Sequence, residues 1–343
     1  MKDPEKILIV RTDRLGDVIL STPVIKNLRL TYPNAHLAFM CRPYTKDAVT
    51  GNTYLDEVIV YDKYGKHNSI LSTINFAFRL RKKRFDWAII LHPTNRAHLI
   101  TFLAGIPKRI GWNRKLGILL TDKLLHDKQY GKKHESEYSL SILESLGIPI
   151  RGKETSFPLN QKAIDSTNSR LLDAGVGAED GFIVLHPSAS CPSKRWPQEN
   201  FLSLARLLKA KSRFKIIIIS SKDEAEFGEL LARETDLIDF RGMFNLNQLG
   251  ALLKRATLLI SNDSGPVHIA ASFNTLVISI FGRNDPGLGP RRWRPLGPNS
   301  YYFHDDPGCR HCPAHACEID FICLKAITPE EVAQKALQLL TSK

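Results

Sequence analysis

The 343-residue chain has no apolar run near the ~18–20 residues that a membrane-spanning helix needs. Its continuous stretches, such as Ile216–Ile219, are of strand length. The start, Met1-Lys-Asp-Pro-Glu, leads straight into Ile7–Val10 without the layout of a secretory signal, so a cytoplasmic protein is expected. In that compartment the six cysteines are expected to be reduced thiols or metal ligands, not disulfides. There is no repeat at solenoid periods and no low-complexity tract. With 43% hydrophobic and 24% charged residues, the composition excludes a disordered, collagen-like or disulfide-stapled chain. The G-x-G-x-x-G dinucleotide fingerprint is absent. So are nucleic-acid-binding motifs and aromatic-interleaved basic strips, and no nucleic-acid partner is expected.

Acidic residues are the scarcer charge. Lys+Arg number 48 against 35 Asp+Glu, a net +13. Residues 1–150 hold 24 basic and 14 acidic residues, a net +10, and the remainder only +3. A basic first half calls for an anionic partner there: a phosphorylated substrate, a membrane surface or nucleic acid. The run Arg79-Leu-Arg-Lys-Lys-Arg84 reads either as a membrane-facing patch or as a solvated helix end.

Short apolar runs alternate with amphipathic stretches along the whole chain. Lys6–Arg11, His36–Met40, Val58–Tyr61 and Trp87–Leu91 read as buried strands, as do Phe182–His186, Lys215–Ser220, Thr257–Ser261 and Leu276–Phe281. Helix-like segments intervene at Val18–Leu30, Ser69–Lys83, Arg96–Leu103, Pro197–Ala210, Asp223–Glu234, Leu246–Leu253 and Pro266–Ser272, with a last one at Pro329–Leu340. Continuous apolar strands between helices predict parallel sheets covered on both faces. Pro149, Gly152 and Pro158 interrupt the pattern, which predicts two doubly wound α/β domains joined near 150–165.

Such sheets bind ligands beyond the carboxyl ends of their strands, so the loops there are the candidate sites. In Arg11-Thr-Asp-Arg-Leu-Gly-Asp17, Asp17 reads either as a helix cap or as a general base. Arg11 and Arg14 would hold an anionic substrate. Asn95 and Arg96, where the helix after Trp87–Leu91 begins, are assigned to the same substrate. In His186-Pro-Ser-Ala-Ser-Cys-Pro-Ser-Lys-Arg-Trp-Pro, Ser188, Ser190 and Lys194 offer donors for phosphate oxygens. In Ser261-Asn-Asp-Ser-Gly-Pro-Val-His268, Gly265 and Pro266 turn sharply into a helix whose free amides suit phosphate. His268 alone would read as a core histidine. The acids of Ser220-Ser-Lys-Asp-Glu read either as first-turn helix acids or as a ribose contact. Cys309, Cys312, Cys317 and Cys323 are spaced x2, x4 and x5, near His304, His311 and His315. They form either a structural zinc or iron knuckle or a cluster of buried thiols.

Taken in order, these motifs resemble the ADP-heptose:lipopolysaccharide heptosyltransferases, glycosyltransferase family 9. The likeness runs from Ile7 to about Val332. It rests on Arg-Thr-Asp-Arg-Leu-Gly-Asp-Val at 11–18, Phe-Leu-Ala-Gly-Ile-Pro-Lys-Arg-Ile-Gly-Trp at 102–112, Lys-Arg-Trp-Pro at 194–197 and Asn-Asp-Ser-Gly-Pro-Val-His at 262–268. The segment 102–112 is similar to the heptosyltransferase II branch. The resemblance implies a GT-B fold: two doubly wound Rossmann-like domains facing across a cleft. The acceptor domain would span 1–160 and the nucleotide-sugar domain 161–328, with a C-terminal helix, 329–343, packing back on the first. It implies inverting, metal-independent transfer with Asp17 as the base and Lys194 as the diphosphate lysine. Ser188, Asp263, Ser264, Gly265, Pro266, Val267 and His268 would lie about the donor phosphates, Glu224 at the ribose and Met243 near the adenine. The implied partners are ADP-L-glycero-D-manno-heptose and the phosphorylated inner core of lipopolysaccharide, at the inner face of the inner membrane. No cofactor is required. Phe281-Gly-Arg-Asn-Asp-Pro departs from the family's Phe-Gly-x-Thr-Asp-Pro. A transferase using another nucleotide-sugar or glycan, and an anionic-surface or nucleic-acid binding protein, stand as the alternatives.

Overall fold

The computed structural model describes residues 3–309, 311–313 and 315–341. The chain divides into two units: Met1–Gln129 with Lys133–Pro158, and Tyr130–Lys132 with Leu159–Lys343.

The first unit runs β1 (Lys6–Val10), α1 (Leu15–Leu20), α2 (Thr22–Thr31), β2 (His36–Cys41), β3 (Glu57–Val60), α3 (Ile70–Arg81), β4 (Trp87–Ile90), α4 (Asn95–Leu103), β5 (Lys108–Asn113), β6 (Asp122–Leu125) and α5 (Glu135–Glu144). Its six strands pair in the order β3-β2-β1-β4-β5-β6, all parallel. Ile7–Val10 and their neighbours are buried on both faces, as helices on each side of a parallel sheet require. One face packs Leu8, Val10, Ala38, Met40, Ala88 and Ile90 against Phe76, Leu80 and Ile100 of α3 and α4.

The second unit runs α6 (Gln161–Asp173), β7 (Phe182–His186), α7 (Gln198–Lys211), β8 (Lys215–Ile218), α8 (Glu229–Glu234), β9 (Ile238–Asp239), α9 (Leu246–Arg255), β10 (Leu258–Asn262), α10 (Gly265–Ser272), β11 (Leu276–Phe281), α11 (Pro290–Trp293), β12 (Ser300–His304), α12 (Ile322–Lys325) and α13 (Pro329–Thr341). Its strand order, β12-β11-β10-β7-β8-β9, repeats the first topology. Renumbered from its own first strand it is again 3-2-1-4-5-6, the Rossmann order. Both units are therefore Rossmann-like, as the GT-B expectation requires.

The structure amends the expected elements in three places. The helix expected over Val18–Leu30 breaks at Ser21. Its hydroxyl bonds back to Asp17 O at 2.7 Å, Thr22 Oγ1 bonds Ile19 O at 2.8 Å, and Pro23 brings no N–H to the next helix. The stretch from Asp223 opens as a 3-10 turn, Lys222–Gly228, kinked at Glu224 and Phe227. The closing helix, expected to return to the first domain, belongs to the second unit's core: α13 packs on α7, and Val332, Ala333 and Ala336 join that core. Its apolar face finds there the surface of α7 that the sheet leaves uncovered.

Candidate active site

In a 3-2-1-4-5-6 sheet the chain reverses direction between the first and fourth strands, and the loops leaving their carboxyl ends part to leave a crevice. In the first unit these loops follow β1 and β4, and in the second they follow β7 and β10. A charged cluster sits at each place.

At the first, Arg11 is fully buried and divided among three carboxylates. Its Nε donates to Asp13 Oδ1 at 2.8 Å, one terminal nitrogen to Glu135 Oε1 at 2.9 Å and the other to Asp17 Oδ1 at 2.5 Å. Glu135, from the first turn of α5, also accepts from the buried Lys128 Nζ at 2.8 Å. Lys128 reaches Leu91 O at 3.3 Å, and its ammonium lies 5.0 Å from the centre of the Trp112 ring. Across the reversal, His92 Nδ1 lies 3.4 Å from Asp13 Oδ2. Burial and the Arg11 charge push the His92 pKa down to about 3, so the ring is neutral near pH 7.

Asp17 lies in the first turn of α1 but caps nothing, because Arg14 is the N-cap residue and the helix has no side-chain cap. The helix N-terminus would hold Asp17 ionised at an ordinary pKa. Burial first, then the Asp13 and Glu135 charges, outweigh this and the opposing pull of Arg11, and raise its pKa to about 6. A carboxylate titrating near 6 is ionised at neutral pH and far more basic than an ordinary Asp.

Arg11 was expected to hold acceptor charge. Its buried guanidinium is instead committed to Asp13, Asp17 and Glu135, so it positions those carboxylates rather than a substrate. Arg96 is likewise engaged: it donates to the carbonyls of Lys63 at 2.8 Å and His67 at 3.0 Å, and to Asn68 O, tying down the loop before α3. Arg14 and Asn95 are exposed beside this switch point. Glu135, Lys128 and His92 escaped the sequence reading. They lie 75 to 118 residues from Asp17 along the chain, and only the sheet's reversal brings them together.

At the second switch point, Lys194 Nζ meets Asp263 Oδ2 at 2.5 Å, with the lysine side chain 15% exposed and the carboxylate 5%. The loop bearing Lys194 is anchored by its neighbours. Trp196 is buried against Phe201, its indole donating to Ile327 O at 2.9 Å. Its amide donates to Asn262 Oδ1 at 3.0 Å, and Asn262 Nδ2 donates to Pro187 O at 2.7 Å. Arg195 donates to Ala189 O at 2.7 Å and stacks 3.9 Å over Phe227. This accounts physically for the Lys-Arg-Trp-Pro motif: one residue faces the crevice and two hold it there.

Ser188, Ser261 and Ser264 gather around His186. Ser188 Oγ lies 2.9 Å from Nε2, and Ser261 and Ser264 lie 2.9 and 3.2 Å from Nδ1. Burial lowers the His186 pKa to about 4, so a neutral ring joins both loops. The phosphate-site expectation narrows at α10. Pro266 has no N–H, and Val267 N–H is taken by Ser264 O at 3.3 Å. That leaves the amides of Ser264 and Gly265 at the helix tip. Val267 and His268 are buried behind it.

Glu224, half-buried, accepts from Ser221 Oγ at 3.1 Å. Met243 is 47% exposed. Gly242 N–H bonds Ser220 O at 3.1 Å and Arg241 bonds Ala225 O at 2.6 Å, so these two loops travel together. Gly282, at the end of β11, meets the Lys194 turn closely enough that an added Cβ would lie 2.5 Å from Ser193 O.

Cys309, Cys312, Cys317 and Cys323 line one cavity of about 270 Å³ with Ser193 and Phe321. Among the described residues no three His, Cys, Asp or Glu side chains are arranged to hold a metal. The zinc or iron expectation therefore finds no support, and the four cysteines are free thiols. Burial and the neighbouring thiols push Cys323 up to about 11.

The family model for glycosyltransferase family 9 (heptosyltransferase) matches residues 74–322. The chain belongs to this family. It is a glycosyltransferase by that membership. It is 25% identical over 296 residues to lipopolysaccharide heptosyltransferase 2 of Salmonella typhimurium, covering 83% of this chain and 85% of that one. Its fold is similar to a family 9 glycosyl transferase structure from Veillonella parvula, with a TM-score of 0.86 at 24% identity over 100% and 99% of the two chains. The E. coli ADP-heptose lps heptosyltransferase II structure matches with a TM-score of 0.80 at 22% identity over 98% and 99%. These likenesses place the family 9 chain in the GT-B fold.

Proposed function

We propose that this family 9 enzyme transfers L-glycero-D-manno-heptose from ADP-heptose to the phosphorylated inner core of lipopolysaccharide, with inversion, on the cytoplasmic side of the inner membrane. The relatives' names, which specify a lipopolysaccharide acceptor and an ADP-heptose donor, support the substrate classes. The observation that carries the chemistry is Asp17, a carboxylate in the first turn of α1, on the segment that follows β1, with its pKa raised to about 6.

In this reading the first unit holds the acceptor, contacted by Arg14 and Asn95, and Asp17 takes the proton from its attacking hydroxyl. The acceptor oxygen bonds to the anomeric carbon as the bond from that carbon to the ADP oxygen breaks, and the configuration inverts. Arg11 aims the Asp17 carboxylate and stays protonated throughout. The second unit holds ADP: Glu224 at the ribose, Met243 at the adenine, Ser188 beside the diphosphate. Negative charge grows on the departing diphosphate. Lys194, kept in place by Asp263, and the Ser264 and Gly265 amides are fixed donors for that charge and favour the transition state over the ground state. Transfer without a catalytic metal follows from this assignment, and activity in EDTA tests it.

Calorimetric titration with ADP, UDP and GDP, followed by product mass after incubation with ADP-heptose and heptose-deficient lipopolysaccharide, tests the reading. ADP binding with a gain of one heptose is expected. Preference for UDP or GDP, or no heptose transfer, overturns the donor assignment.

A further inference from the structure

One face of the first unit combines charge and apolar exposure away from the Asp17 cluster. Between residues 63 and 121 there are twelve Lys and Arg and a single acid, Asp86. That stretch carries +11 of the chain's net +13, so the rest of the protein is close to neutral. Asp86 is itself engaged, accepting from the amides of Glu5 and Lys6 at 2.8 Å. The segment folds as α3, β4, α4, β5 and the 3-10 turn Gly117–Leu119; α3 packs on α4, and α4 on the turn.

α3 turns Thr73, Phe76, Ala77 and Leu80 to the core. At 3.6 residues per turn Leu71 and Phe78 lie near the opposite side, and Ile70 and Ile74 on the flank that joins it. Ile70 is 71% exposed, Leu71 75% and Phe78 49%. A helix covering a parallel sheet ordinarily keeps that outer stripe polar. Apolar exposure continues onto Phe102 of α4, and onto Ile118 of the turn at 78%. Cations border these side chains. Arg81 and Lys82 prolong the α3 stripe by a turn and Arg84 follows, all exposed. Arg109 lies 5.5 Å over the Phe102 ring. Lys83 shares the edge while paired with Glu57 at 2.6 Å.

We propose that the α3–α4 face is a docking surface for an anionic lipid bilayer. Charge alone would serve for a soluble polyanion, which gains nothing from Ile70, Leu71, Phe78 and Ile118 held out in water. A bilayer interface uses both halves of the pattern: the apolar side chains enter the headgroup boundary and the cations meet anionic headgroups. No transfer chemistry enters this argument, so it stands or falls separately from the proposed reaction.

The test is flotation of the full-length protein with sugar-free vesicles, either phosphatidylethanolamine with phosphatidylglycerol or phosphatidylcholine alone. Binding to the anionic vesicles at least ~10-fold above the neutral ones, and falling as salt is raised, is expected. The triple variant Ile70→Ser/Leu71→Ser/Phe78→Ser changes only outward side chains, and its circular dichroism melt checks that it folds. It should float ~10-fold less. Arg81→Gln/Lys82→Gln should weaken binding and its salt dependence together, whereas Lys209→Gln/Lys211→Gln on α7 should change neither. Absence of wild-type binding, or equal binding to neutral vesicles, overturns the proposal. Undiminished flotation of a folded triple-serine variant also overturns it, leaving a polyanion site read by charge alone.

Discussion

At Asp17 four neighbours compete, and the outcome sets the pH at which its carboxylate ionises. Arg11 alone would lower its pKa; burial, Asp13 and Glu135 together win and raise it to about 6 from 3.8. If Asp17 must be ionised to accept a proton, kcat/KM falls as pH drops through about 6 and levels off above it. A pH–rate profile checks this. Asp17→Asn keeps the acceptor oxygen for Arg11 but loses basicity, so transfer should slow by at least ~10²-fold with ADP affinity unchanged and the limb near pH 6 gone. The raised pKa has a stability consequence of definite sign. The folded chain binds this proton more tightly than the unfolded one, so ionised Asp17 costs stability once pH passes from about 3.8 through about 6. Asp17→Asn should therefore melt no lower than wild type at pH 7–8, with the difference closing as pH falls toward 3.8. Glu135 is held differently. It is the shared carboxylate of two buried cations, so Glu135→Gln should cost about 3 kcal/mol in denaturant unfolding.

Each strand–loop–helix at a reversal point acts as a holder for one group. The residues that hold Lys194 are legible once their burial is known: Trp196 and Asn262 fix the loop from two sides, and Gly282 lets β11 approach it. Lys194→Gln retains a hydrogen bond for Asp263 but removes the charge that the proposed function sets against the diphosphate. Its kcat should drop ~10²-fold with the melting temperature little changed, measured under saturating donor. Gly282→Ala presses a methyl group on the Ser193 carbonyl, and Lys194 moves with it. Weaker ADP binding by calorimetry is expected, with the Asp17-dependent pH limb unaltered. Motif spacing brought Lys194, Asp263 and the Ser264 turn into view because they lie at strand ends with turn residues beside them. Glu135 had no such signal, since α5 carries Glu, Ser and Tyr at positions that break a simple apolar period.

For the molecule as a whole, two units repeat one topology, and the last helix completes the second of them. α13 covers α7 with Val332, Ala333 and Ala336, and the carbonyl of Ile327 just before it receives the Trp196 indole. A chain ending at Thr328 exposes that face and loosens the anchor of the Lys194 loop. Its thermal melt should shift down, and ADP, expected to raise the melt of the full chain, should no longer do so.

The sequence by itself determined the α/β class, eight of the buried strands and the loops where chemistry resides. Continuous Val/Ile/Leu runs between helical periods admit little else, and turn residues mark where the chain leaves each strand. The inner strand β5 and the edge strands β6 and β12 were not legible, being short or lined with charge, glycine and aromatic residues that do not alternate cleanly. Tertiary structure alone decided what each charged side chain does. Arg11 reads as a free cation in sequence and becomes a buried hub, because the order 3-2-1-4-5-6 sets β1 against β4 and carries Glu135 and Lys128 to the same spot. Asp17, which reads in sequence as a helix cap or as a general base, is a carboxylate titrating near 6, because a pKa depends on every charge around the group and on its exclusion from water. Those neighbours come from the fold, at distances along the chain that no local pattern encodes.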